Sequence, residues 1–219
     1  MKKTIPVLVL IVALICTIAL SAMAVETAPV SDASSGTEPQ PLPASVLYYG
    51  TIEEIKQEEN GTISRLRMTS EQYGEYILNV SEQTAWIDSG NLSAADPADV
   101  KEGDRVYVFH SAIATKSLPP MSKAFAVVTN IPMDVGCAQY HVIEAVSSER
   151  GCTMITTDNG SLRIVVDQDT VLSFYDTDTV STMEDIHSGN SIMAWYGAET
   201  EDAPGQVHAD YLMLLPEKS

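Results

Sequence analysis

Basic side chains are scarce in this sequence. Its 219 residues include 12 Lys and Arg against 30 Asp and Glu, which gives a formal net charge of −18 at pH 7. A protein that binds nucleic acid needs a basic face to displace counterions, so this composition excludes nucleic acid as an expected partner. Acidic surfaces mostly keep exported proteins soluble, and cations and basic peptides stay open as ligands.

The motifs of catalysis are also missing. No two histidines have the HxH, HxxxH or HExxH spacing of a metal site; the four are His110, His141, His187 and His208. Ser111 follows His110, but the chain has no GxSxG turn and no Gly-rich oxyanion loop, so a Ser, His, Asp triad lacks its setting. We therefore expect no enzyme, no catalytic residue and no cofactor. A secreted hydrolase that acts on envelope or extracellular polymers is the alternative.

Acidic turns supply the hard oxygen ligands that calcium takes. They are Asp158-Asn159, Asp167-Gln168-Asp169 and Asp176-Thr177-Asp178. None has the twelve-residue loop with a closing Glu, and charge runs mostly face water. We expect no metal site, with a calcium-stabilised surface protein as a further alternative.

Only three cysteines are present, and Cys16 lies in the N-terminal apolar stretch. Cys137 and Cys152 make an even number in an exported chain, which allows a disulfide. If residues 140–146 and 152–157 form a hairpin, Cys137 lies opposite a residue well beyond Cys152. A bridge then requires the chain to bend back, so the sequence leaves this pairing open.

The N-terminus has the features of a secretory signal peptide over residues 1–24. Two lysines precede an apolar stretch that runs to about Leu20, and the small residues of Ala22-Met23-Ala24 predict cleavage before Val25. An uncleaved anchor is the alternative, because residues 5–25 are about long enough to cross a bilayer. Residues 25–45 contain four prolines and almost no large apolar side chain, which indicates a Pro/Ser-rich linker. We expect a secreted or cell-surface protein of bacterial origin.

Most of the remaining sequence occurs twice. GEYILNVSEQTAWID at residues 74–88 matches GSLRIVVDQDTVLSF at 160–174, and ADPADVKEGDRVYVFH at 95–110 matches STMEDIHSGNSIMAWY at 181–196, both at an offset of 86. The offset is 91 for TIEEI at 51–55 and VIEAV at 142–146, and 84 for Pro120 and Pro132 against Pro204 and Pro216. An ordered match of this length indicates duplication of one small domain. We assign residues 46–133 to a first β module and 138–216 to a second.

The duplicated segments have the pattern of strands. Tyr76, Leu78 and Val80 alternate with Ile77 and Asn79, which is the period of a half-buried strand. Asp96 and Pro97 predict a short capped turn, which recurs in the second copy. About five strands with one helical turn suit a small OB-like or SH3-like barrel, so we predict an all-β protein of two tandem barrels. A single sandwich built from both halves is the alternative.

Aromatic residues are the main candidates for ligand binding, because flat amphipathic rings suit carbohydrate and peptide grooves. Most recur at equivalent positions in both copies, as core residues do, and we assign Trp86, Phe109 and Trp195 to the interior. Phe174 and Tyr175 are further members of this set, and we assign them neither to the interior nor to a ligand-binding surface. The predicted ligand-binding residues are Tyr49, Tyr107 and Tyr196, together with Leu118 and Met121 of a Pro-rich loop that costs little entropy to present.

Three stretches carry a family resemblance: NVSEQTAWIDSG, KEGDRVYVFHSAIATKSLPP and NIPMDVGCAQYH. They resemble exported proteins of Gram-positive anaerobes, some of which resemble chains with a copper-amine-oxidase N-terminal-like segment. The resemblance covers Tyr48 to about Pro216. In those relatives the amine oxidase segment is a neighbouring non-catalytic domain, and it has no counterpart here. The resemblance therefore implies the module and assigns no copper site or oxidase role.

Together these observations predict a non-catalytic secreted or cell-envelope protein that acts as a binding or spacer module. Its expected partner is an envelope or extracellular ligand, either protein or carbohydrate. We expect membrane contact only through an uncleaved signal segment.

Overall fold

The structure is a computed structural model. It describes residues 41–133, 136–149, 151–175, 177 and 181–216. The predicted signal peptide, Cys16, most of the linker, Asp176 and Asp178 lie outside the described residues. The described residues all belong to one compact unit of the chain.

The first module has seven strands, five of which close a barrel. The strands are β1 (Val46–Gln57), β2 (Ile63–Ser70), β3 (Gly74–Asn79), β4 (Ala85–Asp88), β5 (Ser93–Ala94), β6 (Arg105–His110) and β7 (Met121–Thr129), with a 3-10 turn at Pro97–Asp99. The barrel closes in the order β1, β2, β3, β7, β6 and back to β1, and β3 and β7 are its only parallel pair. Strand β4 lies parallel to the far half of β7 and pairs with β5.

The second module repeats the order and pairing of these strands, but its sheet forms a half-barrel. Its strands are β8 (Gln139–Val142), β9 (Ala145–Glu149), β10 (Cys152–Thr157), β11 (Leu162–Val166), β12 (Val171–Phe174), β13 (Ser191–Tyr196) and β14 (Gly205–Leu214), with a 3-10 turn at Met183–Asp185. Strands β11 and β12 pair in parallel with β14, as β3 and β4 do with β7. Strands β8 and β9 together correspond to β1. The sheet forms a half-barrel because these two strands lie at its two ends and do not pair with each other. The prediction of an all-β fold with two barrel-like modules is confirmed.

Equivalent residues make the same hydrogen bonds in both modules. The amide of Gly103 donates to Ile52 O at 2.8 Å, and the amide of Gly189 donates to Ile143 O at the same distance. Both glycines have a φ near +92°, a left-handed conformation that favours glycine at this turn. The predicted equivalence of Gly103 and Gly189 is therefore confirmed.

Two buried threonines extend the equivalence. Thr84 Oγ1 donates to Ala124 O at 3.0 Å, and Thr170 Oγ1 donates to Ala209 O at 2.8 Å. Each hydroxyl also accepts the amide of the residue three positions before it. In each module the hydroxyl therefore ties a turn to the returning strand.

The structure corrects three details of the sequence prediction. Strands β4 and β12 were not predicted as separate elements. The hairpin strand considered at residues 140–146 is interrupted at Ile143, whose amide and carbonyl bond to the turn before β13. The match of Pro120 with Pro204 is wrong by one residue. Thr115 and Met121 bond to each other as Thr200 and Gln206 do, and this places Pro119 opposite Pro204.

Each module has its own core. Leu66, Leu78 and Val108 are fully buried in the first, and Ile155, Ile164 and Leu212 are fully buried in the second. Val80 packs against the first core and Val166 lies in the second, as their matched positions predict.

A third core lies between the modules. It contains Phe109 and Val128 from the first module and Tyr140, Met193 and Trp195 from the second. Phe109 and Trp195 occupy equivalent positions, so each module contributes the same face of its barrel, as in an isologous dimer interface. The prediction that Trp86, Phe109 and Trp195 are interior is confirmed, since all three are buried. Only Trp86 lies within a barrel.

Two hydrogen bonds connect the modules at this third core. Trp195 Nε1 donates to Ser89 O at 3.1 Å, and the hydroxyl of Tyr175 accepts the amide of Trp86 at 3.1 Å. Ser89 and Tyr175 are separated by the repeat offset of 86 residues, so each bond uses one member of a matched pair. These bonds and the shared core hold the two modules together as one body.

Candidate functional site

A cleft of about 950 Å³ opens at one end of the first barrel. Three turns form its rim: the β1–β2 turn, the β3–β4 turn and the segment from β5 into the 3-10 turn. Its floor consists of apolar residues from the barrel, and Tyr175 of the second module forms part of one wall. The lining residues are Gln57, Asn60, Gly61, Thr62, Ile63, Val80, Ser81, Glu82, Thr84, Trp86, Ala94, Ala95, Asp96, Pro97, Ala98 and Tyr175.

The β1–β2 turn is fixed by its own side chain. Asn60 Oδ1 accepts the amide of Thr62 at 2.9 Å, and the amide of Gly61 donates to Glu58 O at 2.9 Å. Gly61 has a φ of +85°, which a side chain would strain. The hairpin therefore presents the polar groups of its tip from a defined backbone.

The β3–β4 turn forms the second part of the rim. Thr84 Oγ1 accepts the amide of Ser81 at 3.0 Å, and Ser81 Oγ accepts the amide of Gln83 at 3.3 Å. Because Thr84 also bonds to the carbonyl of Ala124 in β7, this turn is tied to the barrel wall.

The 3-10 turn closes the third side. Asp96 Oδ1 accepts the amide of Ala98 at 2.9 Å, the cap that the sequence predicts. The amide of Ala95 donates to Trp86 O at 2.8 Å, which holds this segment beside the floor. Ala95, Pro97 and Ala98 carry small side chains, so this wall leaves space above Trp86.

Trp86 and Ile63 form the buried part of the floor, each with 5% of its surface exposed. The amide of Trp86 donates to the hydroxyl of Tyr175, so the second module fixes the position of the floor strand. A ligand in the cleft would contact an apolar base and neutral polar groups around it.

The charge of the cleft is negative. Glu82 and Asp96 are its two acidic residues, and no Lys or Arg is among the described residues that line it. A cleft of this kind disfavours anions and suits a neutral or cationic ligand.

The second module differs at the matching positions. Leu172 replaces Trp86 and Met183 replaces Pro97. Both of these residues are partly buried and pack against the second core. The aromatic floor with small residues above it is therefore a feature of the first module.

A smaller hollow of about 420 Å³ lies at the junction of the modules. Ala94 lines both this hollow and the cleft. The other lining residues are Leu92, Ser93, Ser173, Phe174, Thr177, Tyr211 and Met213. The concave surface therefore continues from the end of the first barrel along the module junction.

The five ligand-binding residues predicted from the sequence do not form one site. Tyr49 and Tyr107 contact each other edge to face with ring centroids 4.7 Å apart, and Tyr107 also packs against the third core. Leu118 lies in the loop between β6 and β7, and Met121 is the first residue of β7. Tyr196 lies in the second module, and none of the five lines the cleft.

Tyr196 belongs to a buried polar group. Its hydroxyl lies 2.9 Å from His141 Nε2, and His141 Nδ1 lies 3.1 Å from Asp158 Oδ2. Burial, followed by the charges of Asp158 and Glu199, raises the pKa of Tyr196 well above its usual range. The phenol therefore stays protonated, and it ties the end of β13 to β8.

The other predicted chemistry is dispersed. Cys137 and Cys152 are free thiols. His110 Nδ1 donates to its neighbour's carbonyl, Ser111 O, at 2.9 Å, and His208 Nε2 lies 3.0 Å from Asp167 Oδ2. Within the described ranges, His, Cys, Asp and Glu form no group of three or more that is suited to a metal ion. In that same part of the chain, no helix has the length and apolar character needed to span a bilayer.

Asn60, Ser81, Asp96 and Tyr175 are the site residues that sequence reasoning did not assign to a common site. The sequence predicts the capped turn at Asp96, but it gives no sign that this turn meets Asn60 and Ser81 at one end of a barrel. No local signal in the sequence would have found this site.

No family model matches this chain, and no curated protein matches it either.

Proposed function

We propose that this chain is a non-catalytic, exported binding protein of the bacterial cell surface, and that it holds a saccharide in the cleft of its first module. The observation that carries the proposal is the convergence of three polar turns over the buried indole of Trp86. The participation of Tyr175 adds support, because it makes the cleft depend on both modules.

The chemistry of the lining favours a sugar over other ligands. A sugar ring has an apolar C–H face and a rim of hydroxyls that both donate and accept hydrogen bonds. The apolar floor with Trp86 and Val80 matches the C–H face of the sugar. The amides and hydroxyls of Asn60, Thr62 and Ser81 match its rim of hydroxyls. The negative charge of the cleft argues against phosphorylated or carboxylated ligands.

The proposal is tested by filling the cleft. Ala98 lines the rim and uses only its backbone amide in the cap with Asp96, so Ala98→Tyr adds bulk without removing a hydrogen bond. We expect wild-type protein to bind a soluble chito-oligosaccharide in isothermal titration calorimetry. The affinity should fall at least tenfold in Ala98→Tyr, because the new ring occupies the space of the ligand.

Glu184→Tyr is the matched control, because Glu184 occupies the equivalent position in the 3-10 turn of the second module. It should leave the affinity unchanged. Equal loss in both variants, or no loss in Ala98→Tyr, would place the ligand outside the cleft. Absence of binding to chito-oligosaccharide and to soluble uncharged glucan oligosaccharides alike would contradict the saccharide assignment.

A further inference from the structure

The loop between β6 and β7, residues 111–120, exposes two large aliphatic side chains. Leu118 is 97% exposed and Ile113 is 71% exposed, although the chain has well-formed cores elsewhere. Ile113 and Leu118 lie in one loop of ten residues, and clustered exposed apolar side chains mark interaction sites. We call these residues the apolar loop.

The apolar loop has a defined conformation. Thr115 N donates to Met121 O at 2.9 Å, and Met121 N donates back to Thr115 Oγ1 at 2.9 Å. Ser122 Oγ lies 2.7 Å from Ser111 O and 2.9 Å from Ile113 O, so its one hydroxyl proton is shared between the two carbonyls, and the Leu118–Pro119 peptide is cis. The hydrogen bonds preorganise the loop that presents the aliphatic side chains, which reduces the entropy lost on binding.

The second module carries the same loop with opposite chemistry. Thr200 and Gln206 form the same pair of hydrogen bonds at 3.0 Å each, and Ala203–Pro204 is also cis. At an offset of 85, Leu118 corresponds to Ala203, and Lys116 corresponds to Glu201. One backbone therefore displays aliphatic and basic residues in the first copy and small and acidic residues in the second.

The charge of the apolar loop is also unusual for this protein. In a chain with a net charge of −18, residues 111–120 contain no Asp or Glu and one basic residue, Lys116. The nearest basic residues along the chain face other partners, since Arg105 lies over the ring of Tyr49 and Lys123 donates to Gln83. Aliphatic residues flanking a lysine suit an anionic lipid surface, because the side chains enter the acyl region while the ammonium group meets the headgroups.

The topology places this loop beside the point where the N-terminal segment enters the barrel. Val46, the first residue of β1, pairs with His110, the last residue before the loop. The exposed ring of Tyr73 lies at the same end, next to Tyr48 and ahead of β3. Tyrosine is enriched where proteins meet the membrane interface. The cleft lies at the other end of β1.

We propose that the apolar loop docks this protein on an anionic lipid bilayer, with Leu118 and Ile113 inserted and Lys116 at the headgroups. This goes beyond the membrane contact expected from the sequence, which involves the signal segment alone. Docking by this end would leave the cleft facing away from the bilayer, and the inference does not depend on what the cleft binds.

A tryptophan placed in the loop tests the insertion directly. In Leu118→Trp the emission should move to shorter wavelength on vesicles of equal parts phosphatidylglycerol and phosphatidylcholine, and brominated lipid should quench it. Ala203→Trp, on the matched loop of the second module, should keep the emission of a solvated indole. The native Trp86 and Trp195 are each only 5% exposed and give a constant background in both variants.

Both variants share the same N-terminal residues, so binding through that segment affects them equally. In vesicle sedimentation, Leu118→Ser should weaken binding about tenfold, from the loss of one inserted side chain. Lys116→Glu should weaken it about fivefold or more on anionic vesicles and leave binding to pure phosphatidylcholine unchanged. The proposal is overturned if the emission of Leu118→Trp does not shift at lipid concentrations up to millimolar. This is also the result expected if the loop binds a protein and not a bilayer. An equal response of Ala203→Trp would overturn the proposal as well.

Discussion

Truncation of Trp195 is predicted to destabilise both modules, although the residue belongs only to the second. Its ring lies in the third core, edge-on to Tyr211 at 5.2 Å, and its Nε1 donates to Ser89 O of the first module. Removing a buried aromatic side chain typically costs about 3–5 kcal/mol, including the cavity that it leaves. For a protein whose unfolding free energy is about 5–15 kcal/mol, this loss is a large fraction of the total.

Trp86 provides the assay, because in Trp195→Ala it is the only tryptophan left and it reports on the first module. With a urea m-value of about 2 kcal/mol per molar, a loss of about 3–5 kcal/mol moves the unfolding midpoint down by about 1.5–2.5 M. We expect the fluorescence of Trp86 and the far-UV circular dichroism to follow one shifted transition.

The control is Val171→Ala, at an exposed position of the second module, which should change stability by no more than about 0.5 kcal/mol. The reasoning is refuted if the Trp86 transition of Trp195→Ala stays at the wild-type midpoint while circular dichroism reveals a second, earlier phase. That result would mean that the modules unfold independently.

Three further predictions concern single side chains. Burial lowers the pKa of His110, so as the pH falls the unfolded chain binds a proton at this imidazole before the folded chain does. The free energy of unfolding should therefore decrease below about pH 6.5. Urea unfolding at a series of pH values should show a weaker pH dependence in His110→Leu than in wild type. Burial raises the pKa of Cys137 to about 11, so at pH 8 native protein should react with iodoacetamide at Cys152 and not at Cys137, as peptide mass spectrometry would show. Thr84→Ala and Thr170→Ala should each cost about 1–3 kcal/mol by urea unfolding, because each removes two hydrogen bonds of a buried hydroxyl, and a neutral result at either site contradicts the equivalence.

The fold class could be predicted because strand periodicity and the repeat give the same result at matched positions. Gly103 and Gly189 lie in turns that need a positive φ, which favours glycine. Both copies therefore have glycine at this position, and the match is visible in the sequence. Strand β4 escaped prediction because it has only four residues, and its parallel partner β7 lies about 40 residues further along the chain. Local pattern carries no information about such a pairing.

The third core was hidden for a different reason. Strands β6 and β13 are apolar on both faces, which correctly indicates that both faces are buried. The sequence does not say what covers the second face. A prediction from sequence alone therefore cannot distinguish Phe109 and Trp195 from residues inside a barrel. Only the packing of one module on the other separates them from residues such as Trp86.

The cleft could not be predicted for the same physical reason. Its rim combines Asn60, Ser81 and Asp96, which are brought together by barrel closure, with Tyr175 from the other copy. The loop with Leu118 was accessible to sequence reasoning, because its rigid prolines and its divergence from the second copy are both visible in the sequence.

Differential scanning calorimetry of the full chain tests most directly the claim that two copies of one barrel form a single body through a shared core. The account predicts one transition whose van't Hoff enthalpy equals its calorimetric enthalpy. Two resolved transitions, or a van't Hoff enthalpy near half the calorimetric value, would contradict it.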